Sequence, residues 1–181
     1  MNAETNTADL RLAELRRAFD RSFATPPPSG AAEQQPLIVI RLAGETLVLR
    51  AGDITGITRR RRLVPLPSRT PELLGLAGIR GVLVPVFNLA AILALPFRAA
   101  EPGWFALAVR EAPIALAFDE FEGQVEVERT CLYDDQTAPA RPHIRQLVRI
   151  GPLVRPVIEV PSILEAIRKD AGLPGQPRSS Q

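Results

Sequence analysis

The sequence predicts an all-β protein of the barrel or sandwich class, and three observations carry that prediction. Short apolar runs recur through residues 37–160, each closed within a few residues by Gly, Pro or a charged turn. Around Val125 and Val127 apolar residues alternate with polar ones, the period of a half-exposed strand. Two stretches also share a layout, VLVPVFNLAAIL at residues 82–93 and LVRPVIEVPSIL at residues 153–164. Each reads as an apolar strand followed by a short helix, a weak internal repeat that suggests two similar small barrels.

Residues 7–24 read as a helix capped by Thr7, with Asp9 in its first turn and Leu12, Leu15, Phe19 and Phe23 forming one apolar stripe. The proline-rich segment TPPPSGAAEQQP follows as a semi-rigid linker, which lets that helix dock back or bind a partner. The expected organisation is a helix and linker over residues 1–36, a folded domain over 37–171, and a Gly/Pro/Ser tail over 172–181.

Within the domain, LIVIRL and TLVLR flank Ala43-Gly44-Glu45, a hairpin signal. Ile54, Ile57, Leu63 and Val64 continue as short strands, punctuated by Gly52, Gly56, Pro65 and Pro67. The run Arg59-Arg60-Arg61-Arg62 between them contains no aromatic residue, so it reads as a solvated strand end or turn rather than a nucleic-acid surface. Residues 90–95 suggest a short helix stopped by Pro96. A second hairpin is expected around Arg110-Glu111-Ala112, then a strand over residues 122–128 and a polar loop over 131–142. A third pair turns at Gly151-Pro152, and a helix over residues 161–167 closes the domain.

The stretch that organises the rest is residues 73–89, LLGLAGIRGVLVPVFNL. Pro71-Glu72-Leu73-Leu74 reads as a helical turn with Pro in its first position. Gly75, Gly78 and Gly81 follow, and Arg80-Gly81 reads as a tight turn presenting a guanidinium beside a buried strand. Pro85 cannot donate to a ladder, which places its strand at an edge or a bulge.

This pattern resembles the central motif of the CheW-like family, usually Gly-x-x-Asn-Leu-Arg-Gly followed by a strand ending Pro-x-x-Asp-Leu. Gly78 stands at the Asn and Asn88 at the Asp. Ile54-Thr55-Gly56-Ile57 is similar to the family's Val-x-Glu-Ile, with Gly56 at the Glu that could pair with the motif Arg. IALAFDEFEGQVEV and VRIGPLVRPVIEVPSIL are similar to later family segments, so the resemblance spans residues 37–167. It implies two SH3-like five-stranded β-barrels packed on a common core. It also implies a non-enzymatic adaptor between chemoreceptors and a CheA-type histidine kinase. The implied partners are that kinase and the cytoplasmic tip of a methyl-accepting chemoreceptor, with no cofactor. The partner-binding positions implied are Ile54, Ile57, Gly75, Gly78, Arg80, Gly81, Val84 and Pro85.

Composition excludes little else. With 22 basic and 20 acidic residues the net charge is +2, too small for a strong field toward nucleic acid or anionic lipid. Cys131 is the single cysteine, which excludes an intrachain disulfide or a multi-cysteine zinc site and fits a reducing cytoplasm. The start MNAETNTADL has no secretory-signal character, and the apolar run at residues 82–97 is broken by prolines, so a soluble protein without membrane insertion is expected. His143 is the single histidine and no G-x-S-x-G elbow occurs. The glycines at 75, 78 and 81 have neither the spacing nor the strand-before-helix order of a phosphate loop. The competing reading is a small β-barrel enzyme or ligand-binding protein, which would need a concave site with convergent polar groups.

Overall fold

The computed structural model describes residues 33–96, 102–108, 113–134 and 141–170. The helix read at residues 7–24, most of its linker, the turn at 110–112 and the tail from residue 172 lie outside the described residues. Among the described residues, twelve strands form two six-stranded sheets. The first strands are β1 (Gln34–Leu42), β2 (Glu45–Arg50), β3 (Gly56–Arg59), β4 (Leu63–Val64), β5 (Leu73–Ile79) and β6 (Val82–Asn88). They are followed by β7 (Trp104–Ala108), β8 (Ile114–Phe118), β9 (Glu120–Glu128), β10 (Leu132–Asp134), β11 (Ile144–Ile150) and β12 (Leu153–Ile158). Two helices follow the apolar strands: α1 (Leu89–Ile92) after β6 and α2 (Val160–Asp170) after β12.

Sheet A has the order β10-β11-β12-β2-β1-β9, and sheet B the order β3-β7-β8-β6-β5-β4. The two are built on one plan. In each, an antiparallel hairpin (β1/β2 or β7/β8) joins a second one (β11/β12 or β5/β6) through a single parallel contact. Even the irregularities coincide, with a register shift between Leu73 and Gly75 in one sheet and between Ile144 and Gln146 in the other. Sheet B runs unbroken from β3 to β8, whereas sheet A takes its β1/β2 hairpin from the start of the domain. The repeat expected from residues 82–93 and 153–164 is therefore real in three dimensions. It is not, however, two successive halves, because sheet B is inserted between the parts of sheet A.

The packing explains why β7 and β8 read as continuous apolar runs. Ala106, Ala108, Ile114, Leu116 and Phe118 face a core shared with Ile38, Ile40, Leu47 and Leu49 of sheet A. The alternate residues Phe105, Leu107, Ala115 and Ala117 face the interior of sheet B itself. Leu37, Val48, Val127, Val148 and Val157 fill sheet A in the same way. A strand buried on both faces loses the polar alternation that marks a half-exposed one. The shared core closes with α1 and α2, through Leu89, Ala90, Leu93, Val160 and Ile163.

Four local expectations change. Pro71-Glu72 is a turn and not the first turn of a helix, and Leu73-Leu74 open β5, because Leu73 pairs with Phe87 and packs into the shared core. A four-residue helix would satisfy few hydrogen bonds, whereas the ladder to β6 satisfies several. The segment expected as a loop from residue 131 begins instead with a 3-10 turn, Arg129–Cys131, and β10, which adds to the edge of β11 opposite Leu147 and Val148. Helix α1 begins at Leu89, since the Asn88 side chain accepts from the amides of Ala90 and Ala91 and caps it there. Helix α2 runs from Val160 to Asp170, longer than expected at both ends. Pro85 has β5 on one side only, because β8 pairs with β6 from Val86 onward. The first half of β6 is thus an edge and the second half is central.

One carboxylate is held against its preference. Asp53 sits in the 3-10 turn Ala51–Asp53, and its Oδ2 is buried without a hydrogen-bond partner. Burial raises its pKa above 3.8 and the charge of Glu159 adds to this, while Arg50 opposes both. With the folded value raised, the stability linked to Asp53 is fully present below 3.8 and is lost as pH rises through the folded pKa. Asp53→Asn is therefore expected to raise the melting midpoint at pH 7, with the gain shrinking as the pH falls toward 3.8. Parallel thermal melts across that range check it; a gain that does not depend on pH would rule out ionisation as the cause.

Candidate functional site

The turn between β5 and β6 is the two-residue loop expected at Arg80-Gly81, closed by the pair Ile79–Val82. Arg80 has φ 49° and Gly81 φ 80°, and positive φ at both central residues is the requirement of a type I′ hairpin. Glycine adopts that conformation freely, and an arginine does so at a cost. The bulky residue kept at this position against its local preference points to a use for its side chain.

That side chain folds back over β3. A Cβ built on Gly56 would lie 3.5 Å from Arg80 Nη2, so the guanidinium covers bare backbone where a pairing side chain would stand. Thr55 fixes this part of β3's approach, its amide and hydroxyl both donating to the Leu107 carbonyl at 2.7 and 3.0 Å. Arg80 is exposed and overhangs a cleft of about 440 Å³ lined by Ile54, Ile79, Val82, Val84 and Leu107 among others. The cleft is a trough of mixed polarity, with Thr55 among its aliphatic side chains and the Arg80 cation at its rim.

Of the eight positions implied by the sequence, Ile54, Arg80 and Val84 meet at this cleft, with Val84 buried in its floor. Gly78 and Gly81 are exposed on the same hairpin, Pro85 is half-buried in β6, and Ile57 packs on the shared core from β3. Gly75 is buried with φ 136°, and a Cβ there would meet the Val64 carbonyl oxygen at 2.3 Å. Its visible task is to let β4 approach β5.

The sheet equivalence exposes residues that sequence reasoning missed. Matching the parallel contacts, Val86 with Val157, places Val82-Leu83 level with Leu153-Val154 at the two hairpin tips. Val82 and Leu83 are 51% and 69% exposed, and Leu153 and Val154 are 53% and 50% exposed. On the neighbouring edge strands, Val64 opposite Leu76 matches Tyr133 opposite Leu147, and both are exposed. Single exposed apolar residues need no explanation, but three matched pairs at equivalent places on two sheets do. The repeat in the sequence carried the signal, since 82–93 aligned on 153–164 already superposes two of the pairs.

Polar groups also gather away from this trough. A cavity of about 740 Å³ beside β11 brings together Arg50, Arg141, Arg145, Glu45, Asp134 and Glu159. Its cations are held by its own acceptors: Arg141 by Glu45 at 2.7 Å, Arg145 by Glu159 at 3.4 Å, and Arg50 by Gln146. His143 Nδ1 lies 2.8 Å from Ser162 Oγ on α2, and burial lowers its pKa. Cys131 instead packs against the interior cluster of sheet A. Among the described residues no group of three or more His, Cys, Asp or Glu side chains could hold a metal ion, and no helix is long and apolar enough to cross a membrane. Arg59–Arg62 are exposed as expected, with Arg59 lying 4.7 Å above the Trp104 ring.

Two sheets built on one plan around a shared core, with matched apolar margins, define a two-barrel β domain. The chain belongs to the CheW-like domain family, whose pattern residues 36–168 match. Among solved structures it is similar to the scaffolding protein TtCheW from Thermoanaerobacter tengcongensis, with a TM-score of 0.62 and 13% identity over 68% of this chain and 88% of that one. At that identity the likeness establishes the two-barrel SH3-like fold; each sheet holds six strands where five were expected, with β4 and β10 the shortest. A search of curated sequences finds no match. The family is one of non-enzymatic adaptors in chemotaxis signalling.

Proposed function

We propose that this chain is an adaptor coupling chemoreceptors to a CheA-type histidine kinase in a bacterial chemosensory array, on the cytoplasmic side of the membrane. The observation that carries the reading is the set of matched apolar pairs, Val82-Leu83 with Leu153-Val154 and Val64 with Tyr133. A protein that bridges needs two faces, and these hairpin tips supply one on each barrel. Each face suits a regulatory domain of similar barrel fold, and the trough beneath Arg80 suits an apolar helical receptor tip with a carboxylate near the arginine. Departures at Gly56, Gly78 and Asn88 from the usual motif fit a divergent pathway, of motility or of another output.

The test is binding of the purified regulatory domain of a CheA-type kinase from the same genome. Leu83→Asp and Val154→Asp each place a charge at the centre of one face without touching the core, and each is expected to weaken binding at least about tenfold. The melting midpoint should not move. Undiminished binding in both variants would remove the kinase as the partner of these faces.

A further inference from the structure

The two faces are alike in their apolar residues and differ in the charge beside them. In sheet B, Arg59 lies opposite Trp104 at the end of β3, and in sheet A the ladder position that matches it is Glu126, opposite Pro36 on β9. Beyond Arg59 the chain continues Arg60-Arg61-Arg62, all exposed, and Arg69 follows before β5; no acid occurs between Asp53 and Glu72. Beyond Glu126 the margin carries Glu128, and Asp134 lies at the end of β10, all exposed, with Arg129 between them and Arg149 exposed opposite Val154, so this face is of mixed charge. We propose that the arginine margin selects an acidic protein surface for the sheet B face, while the mixed charge of the sheet A face gives no such preference, so that the two apolar faces are not interchanged. The inference rests on the reading of these faces as docking surfaces.

The segment is built to hold its charges outward. The Arg60 amide donates to the Gly103 carbonyl at 2.9 Å, which anchors the run where it leaves β3. Arg59 is laid flat on Trp104, whose ring packs 5.6 Å from Phe121, so the first guanidinium is a fixed platform. Pro65 and Pro67 keep the chain extended on the far side, where Val64 and Leu66 are exposed between the arginines at 62 and 69. A synthetic acidic amphipathic helix probes both features of such a surface, with an apolar stripe for Val64, Leu66 and Leu83 and carboxylates for the planar forks of Arg61 and Arg62. Two otherwise equal apolar faces discriminate between partners when like charges repel the wrong one. A membrane surface explains the basic run but not the matched apolar face on sheet A.

The experiment titrates the full chain with a synthetic acidic amphipathic helix (Glu-rich with a Leu stripe), its Lys-rich counterpart, and phosphatidylglycerol vesicles. Binding of the acidic helix is expected to map to residues 59–69 and to fall steeply as salt rises from about 0.02 to 0.3 M. Arg61→Glu with Arg62→Glu should weaken it at least tenfold, while Glu126→Lys with Glu128→Lys should not weaken it. Acidic-helix binding that ignores the arginine reversal, or equal binding of the Lys-rich helix at this face, overturns the proposal. Tighter binding to vesicles, lost in the same double variant, overturns it in favour of a lipid surface. The outcome is separate from the kinase assay with Leu83→Asp and Val154→Asp, whose failure would remove the kinase and leave the charge preference standing.

Discussion

Gly75→Ala is expected to cost about 2–6 kcal/mol, enough to remove a large part of the stability of a domain this size. Two effects add. The residue has φ 136°, a backbone conformation outside the range of an L side chain, and holding alanine there costs about 1–3 kcal/mol. The new methyl would also stand 2.3 Å from the Val64 carbonyl oxygen and 3.0 Å from Pro65 Cα, both backbone atoms that cannot rotate away. Relieving that overlap means moving β4 off β5, at roughly 1–3 kcal/mol for an overpacked site. Gly78→Ala, three residues along the same strand, is the control. Nothing lies within 4 Å of its Cβ, and it is expected to change stability by no more than about 0.5 kcal/mol. Denaturant melts of the two variants decide the matter, and equal midpoints would show that β4 docks loosely enough to give way.

Arg80→Ala is expected to separate binding from folding. The side chain is exposed and its nearest constraint is the open backbone at Gly56, so its removal should shift folding stability by no more than about 0.5 kcal/mol. At the rim of the trough an arginine is the type of residue whose truncation costs about 2 kcal/mol of binding, roughly thirtyfold in affinity. The measurements are a thermal melt and titration with the receptor's cytoplasmic tip. Gly56→Glu extends the test, since a side chain starting 3.5 Å from Arg80 Nη2 has room there and brings a carboxylate within reach of the guanidinium. If Arg80 binds its partner through a free cationic rim, this internal pair should weaken receptor binding too. Unchanged affinity in both variants would mean that the trough is not used.

Much of this architecture is legible from local chemistry. The Ala43-Gly44 and Arg80-Gly81 turns follow from small or glycine-containing dipeptides between apolar runs, and both adopt positive φ at each central residue. The hairpins β1/β2, β5/β6 and β11/β12 follow from the same alternation of strand and turn. Exposure of Arg80 was readable from the absence of an acid nearby in the sequence. Other features were not readable, because they depend on contacts far along the chain. Leu73 and Leu74 are good helix formers, and only the ladder to Phe87 and the two apolar layers beneath make them a strand.

What the sequence determined by itself, then, is most of the strands, the turns that join them, and a motif pair that names the family. Those are properties of neighbouring residues, set by backbone sterics and by the period of burial. The tertiary structure decided the rest: that sheet A borrows its first hairpin from the start of the domain, that Leu132–Asp134 is a strand, and that Gly75 is a packing glycine. It also decided that Val82-Leu83 and Leu153-Val154 are outward pairs while Val84 and Val157, in the same apolar runs, are core. A one-dimensional pattern records how apolar a residue is, and which side of a twisted strand meets water is settled only when the second sheet covers the first.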